Sequence, residues 1–123
     1  MQIKNDHNKV FSLLRGDVYL VNLDPIIIKE IGKARPALII QNDIGNKFSP
    51  VTIIAPISSK KEITKPLPIM VLLQIGDCGL SEESYIDCGQ IRTVDKAKRL
   101  IKKLGRIENK KMIEVDKALK ISP

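Results

Sequence analysis

The chain has 123 residues, enough for one packed domain and too few for two independent cores. Hydrophobic residues make up 43% and charged residues 28%, which excludes a largely disordered chain. Lys and Arg outnumber Asp and Glu by 21 to 14, so the formal charge of +7 favours a polyanionic partner, with basicity for solubility alone as the plain alternative. Aromatic residues are only 3%, which counts against a recognition surface built on stacked rings.

The hydrophobic runs and the two cysteines indicate the cellular compartment in which the protein is found. No run approaches the roughly 20 apolar residues that span a bilayer, because Lys, Asp or Asn interrupts each one, and we expect no membrane partner. Cys78 and Cys88 could pair in an oxidising compartment, but no charged start is followed by an apolar run and a small-residue cleavage site. We therefore expect a reduced, soluble, cytoplasmic protein.

In chain order, residues 1–14 are read as an N-terminal extension and residues 15–123 as a single domain. The first residues are polar and lack periodicity, and a helix could begin near residue 10. From residue 15 onward, short apolar and β-branched runs between turn residues predict strands. They fall at residues 17–23, 35–40, 51–57, 69–73 and 84–94, the second of them central and the last with a bulge at Gly89.

The connections and the C-terminal part are read in the same way. Residues 42–46 are dense in Asn, Asp and Gly, which predicts a turn, and residues 60–68 predict an exposed loop. Residues 95–104 are ambiguous, because helix formers dominate and Gly105 could be a C-cap, yet a strand running to residue 107 also fits. Residues 109–119 predict a helix that packs on the sheet, because apolar residues recur there at helical spacing.

The residue types limit the chemistry that the chain can perform. His7 is the only histidine and lies in the polar lead, which excludes a mechanism with two histidines and disfavours one with a single histidine. No cluster of His, Cys, Asp and Glu has metal-ligand spacing, no glycine-rich loop matches a phosphate cradle, and no serine lies in a nucleophile-elbow pattern. We predict no metal and no cofactor.

Arginine and hydroxyl side chains at strand ends remain as candidates. Arg35 lies where a glycine-bearing segment enters an apolar strand, where a guanidinium could present its fork to a phosphate. Spacing alone favours the alternative of a salt bridge to Glu30. Ser58, directly after the apolar run at residues 51–57, is less distinctive.

The strongest signal lies in five strings of residues. They are RGDVY at 15–19, DP at 24–25, RPALIIQNDIGNKFSP at 35–50, QIRTVD at 90–95 and VDKAL at 115–119. Together, in order and at family-like spacing, they resemble the MazF/PemK-type toxin endoribonucleases of type II toxin-antitoxin systems. The resemblance covers roughly residues 15–122 and is weakest at residues 60–80.

The resemblance implies a mostly β fold with short helices (α+β), an SH3-like barrel of the MazF/PemK/CcdB type with a C-terminal helix. It implies a homodimer whose groove binds single-stranded RNA. The implied activity is that of a sequence-specific, metal-independent endoribonuclease (an mRNA interferase) leaving 2′,3′-cyclic phosphate and 5′-hydroxyl ends, inhibited by a cognate antitoxin whose acidic flexible tail would suit the positive charge. For the ambiguous residues 95–104, the resemblance implies a short helical turn, followed by a strand over about residues 100–107.

The resemblance assigns roles to individual residues. The catalytic arginine of the family falls on Arg35, and the catalytic hydroxyl, usually threonine, falls on Ser58. Serine keeps the donor and acceptor but lacks the methyl group that restrains the rotamer, so we expect retained activity in a looser site. Gly89 stands where relatives often carry an acid, so no base contact is carried over there. The residues expected to contact RNA are Glu30, Asn42, Ser59, Lys60, Gln90 and Arg92, with a buried amide as the alternative for Gln90.

The expected mechanism has Arg35 stabilise charge on the scissile phosphate while Ser58 orients it through a hydrogen bond. The proton acceptor stays open between a perturbed Arg35, a water and Glu30. One rival is a non-catalytic RNA- or protein-binding member of the same fold, which Ser58 keeps open. The other is the related toxin group that poisons DNA gyrase, in which the strings RP at 35–36 and QIR at 90–92 would be unexpected.

Overall fold

The structure is a computed structural model that describes residues 12–23 and 34–121. Its strands are β1 (Asp17–Asn22), β2 (Ala34–Ile39), β3 (Val51–Ser59), β4 (Met70–Leu73), β5 (Ser84–Asp87), β6 (Arg92–Asp95) and β7 (Leu100–Arg106). The helices are α1 (Asp43–Phe48), α2 (Lys96–Arg99) and α3 (Asn109–Ile121), and single 3-10 turns occupy Lys60–Glu62 and Asp77–Gly79. The predicted mostly β fold with short helices and a C-terminal helix is confirmed.

The strands form one antiparallel sheet in the order β4-β5-β3-β2-β1-β7, with β6 also paired to β3. The prediction that the strand beginning near residue 35 is central is confirmed, because β2 lies between β1 and β3. Strand β3 is the longest: residues 54–56 pair with β2 on one edge, while residues 51–54 pair with β6 and residues 57–59 with β5 on the other. The end of the β2–β3 ladder positions the candidate site.

Alternating side chains give the sheet a core on each face. On one face Leu38, Ile57 and Ile86 pack with Val115 and Ala118 of α3. We call these five residues and those packed with them the helix-side core. The prediction that the C-terminal helix packs on the sheet is therefore confirmed. The opposite core contains Leu13, Tyr19, Val21, Ala37, Ile39, Ile54, Val94 and Leu100.

The prediction of a turn at residues 42–46 is wrong, because these residues form the N-cap and the first turn of helix α1. The Asn42 side chain accepts a hydrogen bond from the backbone N–H of Gly45 at 2.8 Å, as an N-cap does. Asn suits a turn and an N-cap equally well, so the residue type alone did not separate them. The strand predicted at residues 84–94 is two strands, β5 and β6, because residues 88–91 leave the ladder.

The ambiguity at residues 95–104 is resolved as the resemblance implied, with α2 followed by β7. Gly105 lies inside β7, so the C-cap alternative is wrong. A Cβ atom there would lie 2.7 Å from the Cα of Cys78, so the close approach of the Asp77–Gly79 turn requires glycine.

Other expectations concern the termini and the cysteines. The possible helix near residue 10 lies largely outside the described residues, and residues 12–14 are not helical. Cys78 and Cys88 are both buried, and they are not joined in a disulfide. Among the helices in the described part of the chain, none combines the length and the apolar character needed to cross a bilayer.

Candidate active site

A cleft opens where β2 and β3 separate. Their ladder runs from Ile39 paired with Ile54 to Ala37 paired with Pro56 and ends there, while β5 pairs with residues 57–59 on the opposite edge of β3. A cavity of about 480 Å³ lies beside this point, with Arg35, Ser59, Glu62 and Glu82 among the residues that line it. The end of the β2–β3 ladder therefore leaves a concave surface lined by charged and hydroxyl groups.

Arg35 lines this cavity, and Ser58 lies between two of its lining residues, Ile57 and Ser59, at the position of β3 that faces Arg35 when the β2–β3 register is extended by two residues. Ala37 pairs with Pro56, and two residues further along each strand come Arg35 and Ser58. Side chains two residues apart on a strand lie on the same face, so both belong to the face of Ala37 and Pro56. Arg35 is exposed and Ser58 half-buried.

The guanidinium of Arg35 is paired with a carboxylate that the sequence did not single out. Its Nη1 lies 3.4 Å from Oε1 of Glu62, in the 3-10 turn that follows β3. Both side chains are about half exposed, at 55% and 50%, so solvent weakens the pair. Glu30, the partner considered from spacing, lies outside the described residues.

Two further ion pairs surround the turn after β3. Lys60 Nζ lies 3.6 Å from a carboxylate oxygen of Glu83, and Lys61 Nζ lies 3.4 Å from one of Glu82. Ser59 accepts a hydrogen bond from the N–H of Lys61 at 3.3 Å, which fixes the turn. A hydrogen bond with Ser59, followed by the charge of Lys61, lowers the pKa of Glu82. Of the predicted contacts, Ser59 lines the cavity, and Lys60 follows it in the turn, paired with Glu83.

Gln90 and Arg92 lie on the other edge of β3. Arg92 pairs with Ile54 in the β3–β6 ladder, and its Nη1 donates to the carbonyl of Leu23 at 3.1 Å. Gln90 lies in the segment between β5 and β6 and is exposed, so the alternative of a buried amide is wrong. Both side chains are exposed, as an RNA contact would require.

Asn42 is not brought to the cleft. It lies beyond the end of β2 opposite to Arg35, and strand residues 35–39 alone separate the two ends by about 13 Å. Its side-chain oxygen caps α1. A contact of Asn42 with RNA stays a prediction, and it would need a chain that extends well beyond the cleft.

Glu62 and Tyr85 are the residues at this site that sequence reasoning missed. Glu62 stands in a segment whose composition predicts an exposed loop, and no local pattern indicates that it pairs with Arg35. Tyr85 lies opposite Ser58, and only the β3–β5 register reveals this. Within residues 12–23 and 34–121, no three His, Cys, Asp or Glu side chains are grouped as metal ligands would be, and the absence of a metal from the reaction stays a prediction.

The chain matches the family model described as the PemK-like, MazF-like toxin of type II toxin-antitoxin systems over residues 14–122. It is 44% identical to the endoribonuclease EndoA of Bacillus subtilis (strain 168), over 88% of this chain and 91% of that protein. It is 48% identical to the endoribonuclease MazF of Staphylococcus epidermidis, over 88% of each chain.

Solved structures share the fold at lower identity. A mycobacterial endoribonuclease, solved in complex with its cognate antitoxin, aligns with a TM-score of 0.73 and 22% identity over 90% of this chain and 94% of that one. MazF from Deinococcus radiodurans aligns with a TM-score of 0.68 and 23% identity over 87% of this chain and 92% of that one. These likenesses establish the fold alone.

Proposed function

Because the chain belongs to the PemK-like, MazF-like toxins of type II toxin-antitoxin systems, we propose that Arg35 and Ser58 form the centre of its active site. The chain is an endoribonuclease, the activity for which its relatives at 44% and 48% identity are named. The observation that supports the assignment is that Arg35 and Ser58 each come two residues beyond the last β2–β3 pair, Ala37 with Pro56, on the same face of these two strands.

The proposed reaction cuts single-stranded RNA through its own 2′-hydroxyl. The 2′-oxygen loses its proton and bonds to the adjacent phosphorus, and the bond from phosphorus to the 5′-oxygen breaks. The products are a 2′,3′-cyclic phosphate and, after protonation of the leaving oxygen, a 5′-hydroxyl. Arg35 presents its planar fork to the phosphoryl oxygens and stabilises the charge that develops there. Ser58 orients the phosphate through a hydrogen bond.

The proton acceptor is a separate question, because a guanidinium is a poor base. The candidates from the sequence are a perturbed Arg35, a water and Glu30. Glu62 joins them, since its carboxylate contacts Arg35 and lines the same cavity. A group within reach of both Arg35 and the bound phosphate has the position that a proton acceptor needs.

The partners follow from the same premise. We propose a homodimer that binds single-stranded RNA in a groove containing the cleft, with Ser59, Lys60, Gln90 and Arg92 as contacts. The net charge of +7 attracts the polyanion. A cognate antitoxin with an acidic flexible segment would occupy the same positive surface. We place the protein in the cytoplasm, with residues 15–123 as its single domain.

Incubation of the purified protein with a long single-stranded RNA in EDTA tests this function. Metal-independent cuts at a repeated short motif, with cyclic phosphate ends, are the expected result. Intact RNA would instead favour a non-catalytic member of the fold or a toxin acting on DNA gyrase, and a gyrase supercoiling assay separates those two. Mapping the cut ends identifies the motif.

A further inference from the structure

Tyr85 is the one aromatic residue placed beside the proposed catalytic pair within the part of the chain that the structure describes. It lies on β5 directly opposite Ser58 of β3. Ser58 in turn faces Arg35 in the continued register of β2 and β3. Arg35, Ser58 and Tyr85 therefore form a row that crosses three neighbouring strands.

The burial of neighbouring residues shows which face carries this row. Ile57 and Ile86, paired with each other, lie in the helix-side core with exposures of 2% and 0%. Adjacent side chains on a strand point to opposite faces, so Ser58 and Tyr85 point away from that core. Tyr85 is half-buried, and Leu72 of β4 stands opposite it on its other side. Tyr85 thus has Leu72 beside it on one side, and part of its side chain stays accessible to solvent.

We propose that Tyr85 is a stacking platform for an RNA base next to the nucleotide whose phosphate Arg35 and Ser58 hold. This inference rests on the proposed function. Neighbouring strands lie about 5 Å apart, so the backbone of Tyr85 is about 5 Å from that of Ser58 and at least about 10 Å from that of Arg35. A base adjacent to the held phosphate can reach a side chain at that separation.

The chemistry of stacking defines what Tyr85 contributes. Every base has a π-face, so an aromatic ring adds affinity with little choice of sequence. Cations on one side and a ring on the other are the combination by which single strands are held. Tyr85 therefore strengthens RNA binding, while the cleavage motif is set by other contacts. The low aromatic content of the chain does not oppose this role, because one ring serves one base.

Tyrosine fluorescence tests the inference directly, because the chain has two tyrosines and no tryptophan. Tyr19 is buried in the opposite core, at 5% exposure. The probe is a mixed-sequence 2′-O-methyl RNA of about 16 nucleotides, which lacks the nucleophile and matches the upper range of single-strand site sizes. In a Tyr19→Phe protein, all tyrosine emission comes from Tyr85. This emission should fall by more than half when the protein is saturated with probe, and the anisotropy of an end-labelled probe shows when saturation is reached. In a Tyr85→Phe protein, only Tyr19 emits, and its emission should fall only to the extent that the probe itself absorbs light.

Kinetics supply a second readout. Tyr85→Leu should raise KM for a long RNA at least about fivefold and leave kcat within about twofold, whereas Tyr85→Phe should keep the wild-type KM because stacking needs the ring alone. All three proteins should cut at the same motif. If Tyr85→Leu fails to fold, the fluorescence comparison still decides, because its two variants keep the ring.

Unquenched Tyr85 emission at saturating probe, or an unchanged KM in folded Tyr85→Leu, would overturn the inference. A wild-type protein that leaves RNA intact in EDTA would contradict the proposed function instead. Quenching of Tyr85 in such a protein would still support the stacking role.

Discussion

The guanidinium of Arg35 and the carboxylate of Glu62 form an ion pair of 3.4 Å at the mouth of the cleft between β2 and β3. An RNA phosphate that binds Arg35 must share the guanidinium with Glu62 or displace it. Lys60 and Lys61 are paired in the same way with Glu83 and Glu82. Arg35 and Lys60, both proposed to bind RNA, are therefore partly neutralised before RNA arrives.

Replacing Glu62 with Gln should strengthen the binding of uncleavable RNA. The substitution removes the charge that competes with phosphate, and an exposed pair of this kind is worth about 0–1 kcal/mol, so affinity should rise by up to about fivefold. Anisotropy with 2′-O-methyl RNA at several salt concentrations measures it. Glu114→Gln, which breaks the Lys111–Glu114 pair on α3, is the matched control. Equal affinities in the wild type and Glu62→Gln would contradict the competition. If Glu62 is also the proton acceptor, kcat falls in the same variant.

Ser58→Ala should lower kcat by about tenfold or more, because a hydrogen bond to a charged phosphate contributes about 1.5–3 kcal/mol. Ser58→Thr should keep or raise the wild-type rate, since threonine retains the hydroxyl and its methyl group restricts the rotamer. Single-turnover cleavage of a long RNA measures both. Ser81→Ala changes a neighbouring hydroxyl at the cavity and should keep the wild-type rate. A fully active Ser58→Ala protein would remove Ser58 from the mechanism.

Gly105→Ala should destabilise the fold. The added Cβ would meet backbone atoms of Cys78 at 2.7–3.0 Å, and such overpacking costs about 1–3 kcal/mol in the free energy of unfolding. Urea unfolding followed by far-ultraviolet circular dichroism measures the change. Lys102→Ala, on an exposed position of the same strand, is the control. An unfolding midpoint equal to that of the wild type would show that the turn can move away without loss.

The two buried thiols should make stability depend on alkaline pH. Burial, assisted by the charges of Asp77 and Asp87, raises the pKa of Cys78 and of Cys88 from 9.0 to about 11. The folded state then holds these protons more tightly than the unfolded state, so this stability is fully present below pH 9 and is lost as the pH rises toward 11.

A double Cys78→Ala, Cys88→Ala variant isolates this effect. Burial also lowers the pKa of Lys96, which acts with the opposite sign in the alkaline range but is common to both proteins. The difference in unfolding free energy between wild type and variant should therefore shrink between about pH 8 and pH 11. A difference that stays constant over that range would show that the thiols titrate alike in both states.

The sequence predicted the architecture well wherever a residue pattern had one structural meaning. The β-branched run at residues 51–57 became β3, and the helical spacing after residue 109 became α3. Asn42 was misread because its side chain favours turns and helix N-caps alike. Residues 95–104 were decided by the pairing of β7 with β1, which overrules local helix propensity.

The candidate site was predictable only in part. The resemblance located Arg35 and Ser58 by string matching, and only the β2–β3 register, extended by two residues, puts them on one face of neighbouring strands. Glu62 contacts Arg35 from the turn after β3, and Tyr85 lies opposite Ser58 because β5 pairs with β3. Such contacts depend on strand pairing between distant segments, which no local pattern encodes.

Cleavage of a long single-stranded RNA in EDTA by wild type and by Arg35→Ala tests the central claim most directly. Lys102→Ala, which also removes an exposed cation, controls for the loss of charge. We expect cuts by wild type and Lys102→Ala at one repeated motif, and a rate about 10²–10³-fold lower for Arg35→Ala, because a donor to the developing phosphoryl charge is lost. Cutting by folded Arg35→Ala at the wild-type rate would contradict it.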